Sequence, residues 1–288
     1  MKYRHSFHAG NYADVHKHVT LLTLIDALQR KDKGFLYLET HAGRGLYDLN
    51  SADARQGAEA NGGIAALQAS ALPSTLVSNG AISAYLTALA RARSDGGGAQ
   101  AYPGSPVLAA MALRRQDRGI CCEIHAAECR ALERALNLYP RVRCECVDGY
   151  QGLSAHLPPP ERRALVLIDP PYEQQSDDLE RAVAAIVKIL ARLANAVIML
   201  WYPIKDDREL APWLTRAAEQ LPVPALVSEL WIHPRDARVG LNGSGLLIVN
   251  PPYQLDVTMH AWLPELGAAL GTKAQGGTIV RWVAHEPH

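Results

Sequence analysis

Residues 165–172 have the sequence LVLIDPPY: four apolar residues, an acid, two prolines and an aromatic residue. A short, continuous apolar run that ends at prolines is typical of a strand buried on both faces, as in a parallel sheet. Consecutive prolines donate no backbone hydrogen bonds and restrict the loop that follows. We therefore predict a strand that ends at Ile168 and presents Asp169 on a rigid loop.

This loop provides two hydrogen-bond acceptors and one aromatic ring. The side-chain oxygen of Asp169 and the carbonyl of Pro170 can accept hydrogen bonds, and Tyr172 adds an aromatic face beside them. Two acceptors next to a stacking ring suit a flipped base that bears an exocyclic amino group. A simple surface turn is the weaker explanation, because a turn does not require a strand-like apolar run directly before it.

A second sequence of the same type, NPPY, occupies residues 250–253 and also follows an apolar run. The local pattern does not distinguish the two. In an open α/β sheet, however, ligands bind where the strand order reverses, which favours an earlier strand. We predict that Asp169 is essential for turnover and that Asn250 is not.

Apolar and β-branched runs alternate with helix-like segments along the chain. In order, the runs are Phe35–Glu39, Ile120–Glu123, Val142–Cys146, Ala164–Ile168, Ala196–Trp201, Ala225–Ile232 and Gly245–Val249. This alternation predicts an α/β fold, with a mostly parallel, seven-stranded sheet and helices on both faces.

The alternation is interrupted at residues 46–102. This segment is rich in Ala and Gly and contains one clear helical face, at Ile82, Leu86 and Leu89. We predict an inserted small helical subdomain there, and a sheet domain formed by residues 1–45 and 103–288.

A helix is predicted directly after the insertion, where the sequence is YPGSP. Ser105 suits the N-cap and Pro106 the first helical position, so the helix should extend to about residue 115.

Composition narrows the class of protein. The 288 residues include 29 basic and 29 acidic side chains, and 48% of all residues are apolar. This composition excludes a disordered or collagen-like chain. The longest apolar run, at 194–204, is too short to cross a bilayer, and the polar N-terminus does not resemble a signal peptide. We expect a soluble, cytoplasmic monomer with no membrane partner. A neutral chain can still bind RNA through a local basic patch.

The cysteines do not suggest a disulfide framework, because their number is odd and no export signal precedes them. They are Cys121, Cys122, Cys129, Cys144 and Cys146. One CC pair and one CxC pair lie in strand-like runs, so buried thiols are a better interpretation than zinc, and no metal is predicted.

Three further motifs follow predicted strands. The sequence ETHAGRG places Gly43 in a turn where the backbone can approach a ligand, although an ordinary tight turn explains it equally well. Glu123 can accept hydrogen bonds from both hydroxyls of a ribose. The alternative interpretation is that Glu123 is an ordinary acidic residue that faces the solvent. Asp148, before Gly149, can accept from an adenine amino group.

Together these motifs resemble class I S-adenosylmethionine-dependent methyltransferases, which have a Rossmann-like fold and modify amino nitrogens. More narrowly, the chain resembles the bacterial family that methylates N6 of an adenine in 23S ribosomal RNA, the large-subunit methyltransferase J type. The blocks that carry this narrower likeness are Tyr3–Asn11, Ala13–Val15, Lys17–His18, Thr40–Gly43, Tyr102–Pro106 and Trp201–Pro203. The likeness extends over nearly the whole chain, including the insertion and the shortened glycine loop.

The resemblance implies roles for individual residues. The residues around S-adenosylmethionine would be His18, His41, Gly43, Ser105, Glu123, Asp148, Gly149 and Asp169. The RNA would contact Tyr3, Arg4, His5 and Tyr172, and the catalytic groups would be Asp169, Pro170 and Tyr172. Without the resemblance, the N-terminal histidines would be interpreted as a solvated basic tail, or less readily as a metal cluster of His5, His8, His16 and His18.

The expected reaction is direct methyl transfer to adenine N6, with Asp169 and Pro170 accepting from the amino group and Asp169 taking the released proton. The first dozen residues should serve RNA recognition rather than folding. The alternatives are transfer to guanine N2, DNA adenine or glutamine, and an RNA-binding assembly factor without activity.

Overall fold

A computed structural model describes residues 5–70, 80–205, 207–235, 237, 239–271 and 275–284. The predicted RNA contacts Tyr3 and Arg4 lie outside the described residues. Among the described helices, none has the length and apolar character needed to span a membrane.

The described strands form two sheets. They are β1 (Leu36–Glu39), β2 (Leu46–Asp48), β3 (Ala101–Pro103), β4 (Arg118–Cys122), β5 (Val142–Glu145), β6 (Ala164–Ile168), β7 (Val197–Ile204), β8 (Ala225–Trp231), β9 (Gly243–Val249) and β10 (Gly277–Ala284). The large sheet has the order β10-β8-β9-β7-β6-β1-β4-β5, and β2 pairs with β3 separately. The strands β5, β4, β1, β6 and β7 are parallel to one another. The strand β9 is antiparallel to β7 and β8, and β10 is antiparallel to β8.

Helices cover both faces of the large sheet. They are α1 (Tyr12–Gln29), α2 (Ala52–Gly57), α3 (Ile64–Ala69), α4 (Gly80–Ala92), α5 (Ser105–Ala112), α6 (Ala126–Leu136), α7 (Gly149–His156), α8 (Gln175–Arg192), α9 (Asp207–Glu219) and α10 (Leu255–Ala269). One apolar core contains residues of α1, α5, α6 and α10, and the other contains residues of α7, α8 and α9. The α/β class and the mostly parallel sheet are therefore confirmed.

The prediction of seven strands is one too few. All seven predicted runs are strands of the large sheet, but β10 extends its edge next to β8. The segment 46–102 is also not helical throughout, because β2 and β3 pair where it begins and ends. Its helices α3 and α4 contribute Ile64 and Ile82 to the same core as α1.

The helix after the insertion begins one residue earlier than predicted. Its N-cap is Gly104 rather than Ser105, Pro106 lies in the first turn, and the helix ends at Ala112. The Ser105 hydroxyl is free to bond elsewhere, and it donates to the carboxylate of Glu39.

Candidate active site

The strand order reverses beside β1. Across the sheet, the five parallel strands lie in the order β5, β4, β1, β6, β7. In terms of their order along the chain these are the third, second, first, fourth and fifth parallel strands, which is the order of a doubly wound sheet. The crevice of such a sheet opens between the first and fourth strands, at their carboxyl ends. In this chain those ends lead to His41, after β1, and to Asp169, after β6.

Asp169 is held by a lysine from the first helix. The Nζ of Lys17 lies 2.6 Å from the Oδ2 of Asp169 and 2.9 Å from the Oδ1 of Asp14. Only 6% of the Lys17 side chain is exposed, so this ammonium depends on the two carboxylates for its solvation. Burial alone would lower the pKa of Lys17, but Asp14 and Asp169 outweigh it and keep that pKa well above its ordinary value.

Asp14 is itself fully enclosed. Its Oδ2 accepts from the backbone N–H of Gly10 at 3.0 Å and lies 3.1 Å from the Nε2 of His5. Burial would raise the pKa of Asp14, but electrostatic interaction with His5 and then with Lys17 holds it well below its ordinary value. The N-terminal helix therefore brings a charged network to the DPPY loop.

Glu123 and the glycine turn form the opposite side of the crevice. The Glu123 carboxylate is buried and accepts from the backbone N–H of Gly43 at 2.9 Å and of His125 at 2.7 Å. Gly43 has a φ of +61°, which favours glycine. The carboxylate thus lies directly beside the turn, as a ribose acceptor should.

The third strand-end motif begins a helix. The Oδ1 of Asp148 accepts from the backbone N–H groups of Tyr150 and Gln151 and caps α7, and its Oδ2 pairs with Arg181 at 3.0 Å. A Cβ on Gly149 would lie 2.0 Å from the Thr40 carbonyl oxygen, so only glycine allows α7 to approach the end of β1. This close approach leaves the polar ends of β1, β4 and β5 next to one another, and the donors and acceptors there fit a nucleoside.

His41 lies between these groups. Burial lowers the pKa of His41 to about 4, against the opposing fields of Asp169 and Asp148, so the ring is neutral at physiological pH. Its imidazole packs edge-on against Tyr150 with ring centroids 5.5 Å apart. A neutral ring here can contact a cofactor that carries its own positive charge without repelling it.

Glu39, at the end of β1, is fully buried beneath the crevice. Tyr37 donates to its Oε2 at 2.8 Å, and Ser105 donates to its Oε1. Burial nevertheless raises the pKa of Glu39 to about 7 from an ordinary value of 4.5.

This shift predicts a pH-dependent stability. Between about pH 4.5 and 7 the folded chain binds more protons at Glu39 than the unfolded chain, so the contribution of Glu39 to the unfolding free energy falls as the pH rises through that window. The shift corresponds to roughly 3 kcal/mol. Glutamine does not titrate, so the Glu39→Gln variant should not lose this free energy. In denaturant titrations, the unfolding free energy of the variant minus that of the wild type should therefore increase by roughly the same amount between about pH 4 and about pH 8. Histidine titrations contribute equally to both proteins and cancel in this difference. A difference in unfolding free energy that stays constant across the pH range would refute the assignment.

The N-terminal histidines do not form a solvated tail. His16 is buried, with its ring nitrogens 3.0 Å from Ser244 and 2.9 Å from Ser228, and buried His18 lies 3.0 Å from the Tyr102 hydroxyl. Burial lowers the pKa of each to about 3. His5 contacts Asp14 and His8 contacts Glu59, and none of the four rings belongs to a grouping of metal ligands among the described residues.

Tyr172 forms one wall of a cleft of about 1070 Å³. Its hydroxyl donates to the Trp201 carbonyl, and its ring packs edge-on against the Trp201 ring at 5.4 Å. The cleft is also lined by His5, Lys17 and Asp169. It therefore opens the predicted acceptor Asp169 to a large substrate.

The second motif, NPPY, lies far from this cleft. Because β9 runs antiparallel to β7, it ends where β7 begins, at the edge opposite the crevice. The Nδ2 of Asn250 donates to the carbonyls of Ala194 and Ala196, at 2.8 and 2.9 Å, before β7. Direction along the sheet thus separates two motifs that look equivalent in sequence.

Comparison with known proteins now identifies the family. A family model described as "Ribosomal RNA large subunit methyltransferase D, RlmJ" matches residues 32–284. The chain belongs to this family. Its members include a protein of Escherichia coli K12 named ribosomal RNA large subunit methyltransferase J, which is 37% identical over 287 residues, covering 99% of this chain and all of that protein.

Two further relatives agree with this assignment. A protein of the same name from Haemophilus influenzae is 35% identical and covers 99% of this chain and all of its own length. The crystal structure of protein LPL1258 from Legionella pneumophila superposes with a TM-score of 0.83 at 32% identity, covering 95% of this chain and 98% of that one. The Rossmann-like methyltransferase fold is therefore shared along the chain, and S-adenosylmethionine is the methyl donor that this class implies.

The structure brings together most of the predicted site residues that it describes. His41, Gly43, Glu123, Asp148, Gly149 and Asp169 lie at the carboxyl edge of the sheet. Ser105 and His18 are buried beneath this edge, where Ser105 is hydrogen-bonded to Glu39 and His18 to Tyr102.

Sequence reasoning missed the ion pair of Lys17 with Asp169. A charged pair at i and i+3, Asp14 and Lys17, in a helix with many apolar residues was the available signal.

The prediction that the first dozen residues do not serve folding is wrong for the described part of the tail. Ser6 and residues 9–12 are buried. The Asn11 side chain caps α1 through the Asp14 N–H at 2.8 Å, and its Nδ2 donates to Glu59 at 2.9 Å. The backbone carbonyl of Gly10 accepts from Ile64.

Two variants should separate folding from RNA recognition in this tail. Deleting residues 1–12 should lower the melting temperature, because losing the Asn11 cap alone costs about 0.5–2 kcal/mol. Replacing Tyr3 and Arg4 by alanine should reduce the rate of RNA methylation per folded molecule. Thermal denaturation and a methylation assay on the same preparations check both. A stable, fully active deletion variant would contradict the packing described above.

Proposed function

We propose that this protein transfers the methyl group of S-adenosylmethionine to N6 of an adenine in 23S ribosomal RNA. The observation that supports it most is the position of Asp169. This acceptor lies at the switch point of the sheet, paired with Lys17, with the strand-end acids on one side and the large cleft on the other. The protein would act as a monomer in the cytoplasm, where ribosomal RNA is found.

The cofactor would be bound by the carboxyl edge of the sheet. Glu123 would accept from the ribose hydroxyls and Asp148 from the adenine amino group. Gly43 would admit the ligand close to the backbone, and Gly149 would contribute by bringing α7 next to the end of β1. His18, His41 and Ser105 would complete the surroundings. The bound cofactor supplies an electrophilic methyl group on a sulfonium ion. The two acids are already engaged with backbone N–H groups, which hold them in place.

Asp169 and Pro170 would act on the substrate amino group. The lone pair of an adenine N6 is delocalised into the ring, so this nitrogen is a poor nucleophile. Acceptors for both of its hydrogens favour a more tetrahedral nitrogen with an available lone pair. After methylation the nitrogen is positive, and Asp169 would receive its proton. These contributions are positioning and charge stabilisation.

Lys17 and Tyr172 would position the reacting groups. Through its bond to one Asp169 oxygen, Lys17 fixes the carboxylate and leaves the other oxygen for the amino group. Tyr172 would stack on the base, an interaction worth about 1–3 kcal/mol. Its ring is fixed against Trp201, which supports a preorganised contact. Tyr3, Arg4 and His5 would contact the RNA.

The function is tested with the purified protein and methyl-labelled S-adenosylmethionine. Label should enter unmodified large-subunit ribosomal RNA and not small-subunit ribosomal RNA. Calorimetry should show one cofactor bound per chain. Absence of cofactor binding would favour an assembly factor without activity, and label in DNA or in protein would favour the other amino-group substrates.

Replacing Glu123 by alanine should weaken cofactor binding far more than RNA binding. Removing a charged acceptor from the ribose should cost about 1.5–3 kcal/mol, or roughly 10- to 150-fold in the dissociation constant. Calorimetric titration with S-adenosylmethionine measures the loss, and Glu219→Gln, an exposed change on α9, is the control. Unchanged cofactor affinity in the Glu123 variant would contradict this assignment.

A further inference from the structure

Two cysteines meet at the outer edge of the large sheet, and a third follows them in sequence. The Sγ atoms of Cys129, on α6, and Cys144, on β5, are 3.1 Å apart. A carboxylate oxygen of Glu133 lies within 4.8 Å of both sulfurs. Among the residues that the structure describes, these three form the one grouping of three or more potential metal ligands. Cys146, just beyond the end of β5, is exposed.

The local sequence explains why these side chains converge. Cys129 and Glu133 are four residues apart on one helix, so they lie one above the other on the same face. Because α6 packs beside the edge strand β5, Cys129 and Glu133 face Cys144. Cys146 follows two residues later, where the Val147 N–H donates to the Glu145 carbonyl and the chain turns at the end of β5.

We propose that Cys129, Cys144, Cys146 and Glu133 form a structural binding site for zinc. Three thiolates and one carboxylate supply the four ligands that a tetrahedral zinc ion takes in a closed site. This proposal departs from the prediction of inert buried thiols. Apolar packing accounts for Cys129, which is 2% exposed, but it gives no reason for the Glu133 carboxylate to lie within 4.8 Å of both sulfurs.

Zinc binds cysteine as the thiolate. Binding at the proposed site must therefore displace up to three thiol protons, and the sulfur–zinc bonds replace the sulfur–hydrogen bonds. Proton release on binding is a property that adventitious surface binding to carboxylates does not share.

The site would fix a helix that supports the glycine turn. Glu128, one residue before Cys129, pairs through both carboxylate oxygens with Arg44, at 2.7 and 2.8 Å. Leu132 packs against Gly45, where an added Cβ would lie 2.7 Å from its Cδ1. A metal that joins α6 to β5 therefore stabilises the support of the turn between Gly43 and Gly45.

The test is a metal titration of the reduced full-length chain after treatment with a chelator. Cobalt(II) serves as the spectroscopic probe for zinc. We expect one cobalt ion per chain with sulfur-to-cobalt charge-transfer absorption, displacement of cobalt by zinc, release of protons, and a higher melting temperature. Cys146→Ser and Glu133→Gln, both exposed, should weaken zinc binding more than tenfold, and Cys129→Ser/Cys144→Ser should abolish the charge-transfer absorption. Cys122→Ser is the matched control, because Cys122 belongs to the core on the opposite face of the sheet.

Three results would overturn the proposal. The first is cobalt binding without charge-transfer absorption. The second is the same absorption in the Cys129→Ser/Cys144→Ser variant as in the wild type. The third is mass-spectrometric detection of a Cys129–Cys144 disulfide in a protein that, once reduced, binds no zinc. The exposed Cys146 variant separates loss of a ligand from loss of the fold, since its melting temperature without metal should equal that of the wild type.

Discussion

Replacing Asp169 by alanine is expected to abolish turnover, with methyl transfer reduced at least about 100-fold, while the chain remains folded. The carboxylate directly follows β6, lines the large cleft, and is the group that we propose accepts the amino proton. Asp169→Asn is the sharper form of the experiment. The amide preserves the shape of the side chain and an oxygen for Lys17, but it cannot take a proton. Initial rates of methyl transfer to large-subunit ribosomal RNA measure the loss.

Asn250→Ala is the matched control, because Asn250 occupies the same position in the motif NPPY. Its side chain donates to two backbone carbonyls at the opposite edge of the sheet, so the variant should lose stability, about 1 kcal/mol per bond. Its rate per folded molecule should remain close to that of the wild type. An inactive Asn250 variant beside an active Asp169 variant would reverse the assignment of the site.

Replacing Lys17 by methionine should destabilise the fold by about 3–5 kcal/mol, because it removes the cation from a buried network and leaves its carboxylates uncompensated. Asp14 is 1% exposed and Asp169 15% exposed, so water cannot fully replace the ammonium. Methionine preserves much of the length and apolar character of the side chain, so the loss reports charge rather than volume. Denaturant unfolding measures the free energy.

Two further variants make this result specific. Lys188→Met changes an exposed lysine on α8 and should alter the unfolding free energy by less than about 0.5 kcal/mol. In the double variant Asp169→Asn/Lys17→Met, the loss should be smaller than the sum of the single losses, because the two groups interact directly. Additive losses, or a Lys17 variant as stable as the wild type, would contradict the network.

The fold could be predicted from short-range patterns where those patterns determine it. The apolar run before Asp169 predicts a doubly buried strand, and β6 is buried along its whole length. Its position beside β1 follows from the order of a doubly wound sheet. The candidate site could be predicted to the same extent, because Glu123, Asp148 and Asp169 each follow a strand of the parallel part of the sheet.

Contacts between distant segments could not be predicted in this way. The pairing of Lys17 with Asp169 joins residues 152 positions apart. The spacing of Asp14 and Lys17 indicates a charged pair on the helix, but it does not identify Asp169 as a further partner. The direction of β9, which separates Asn250 from the crevice, depends on its insertion between β7 and β8. Cys129 and Cys144 lie on different elements, and their sulfurs meet only because α6 packs beside β5.

The central claim is tested most directly by identifying the methylated nucleoside. Unmodified 23S ribosomal RNA is incubated with S-adenosylmethionine and the purified protein, digested, and analysed by mass spectrometry with mapping of the modified fragment. We predict one new N6-methyladenine at a single position with the wild-type protein and none with Asp169→Asn. Methylation of guanine, or the same N6-methyladenine formed by the Asp169→Asn variant, would contradict the account.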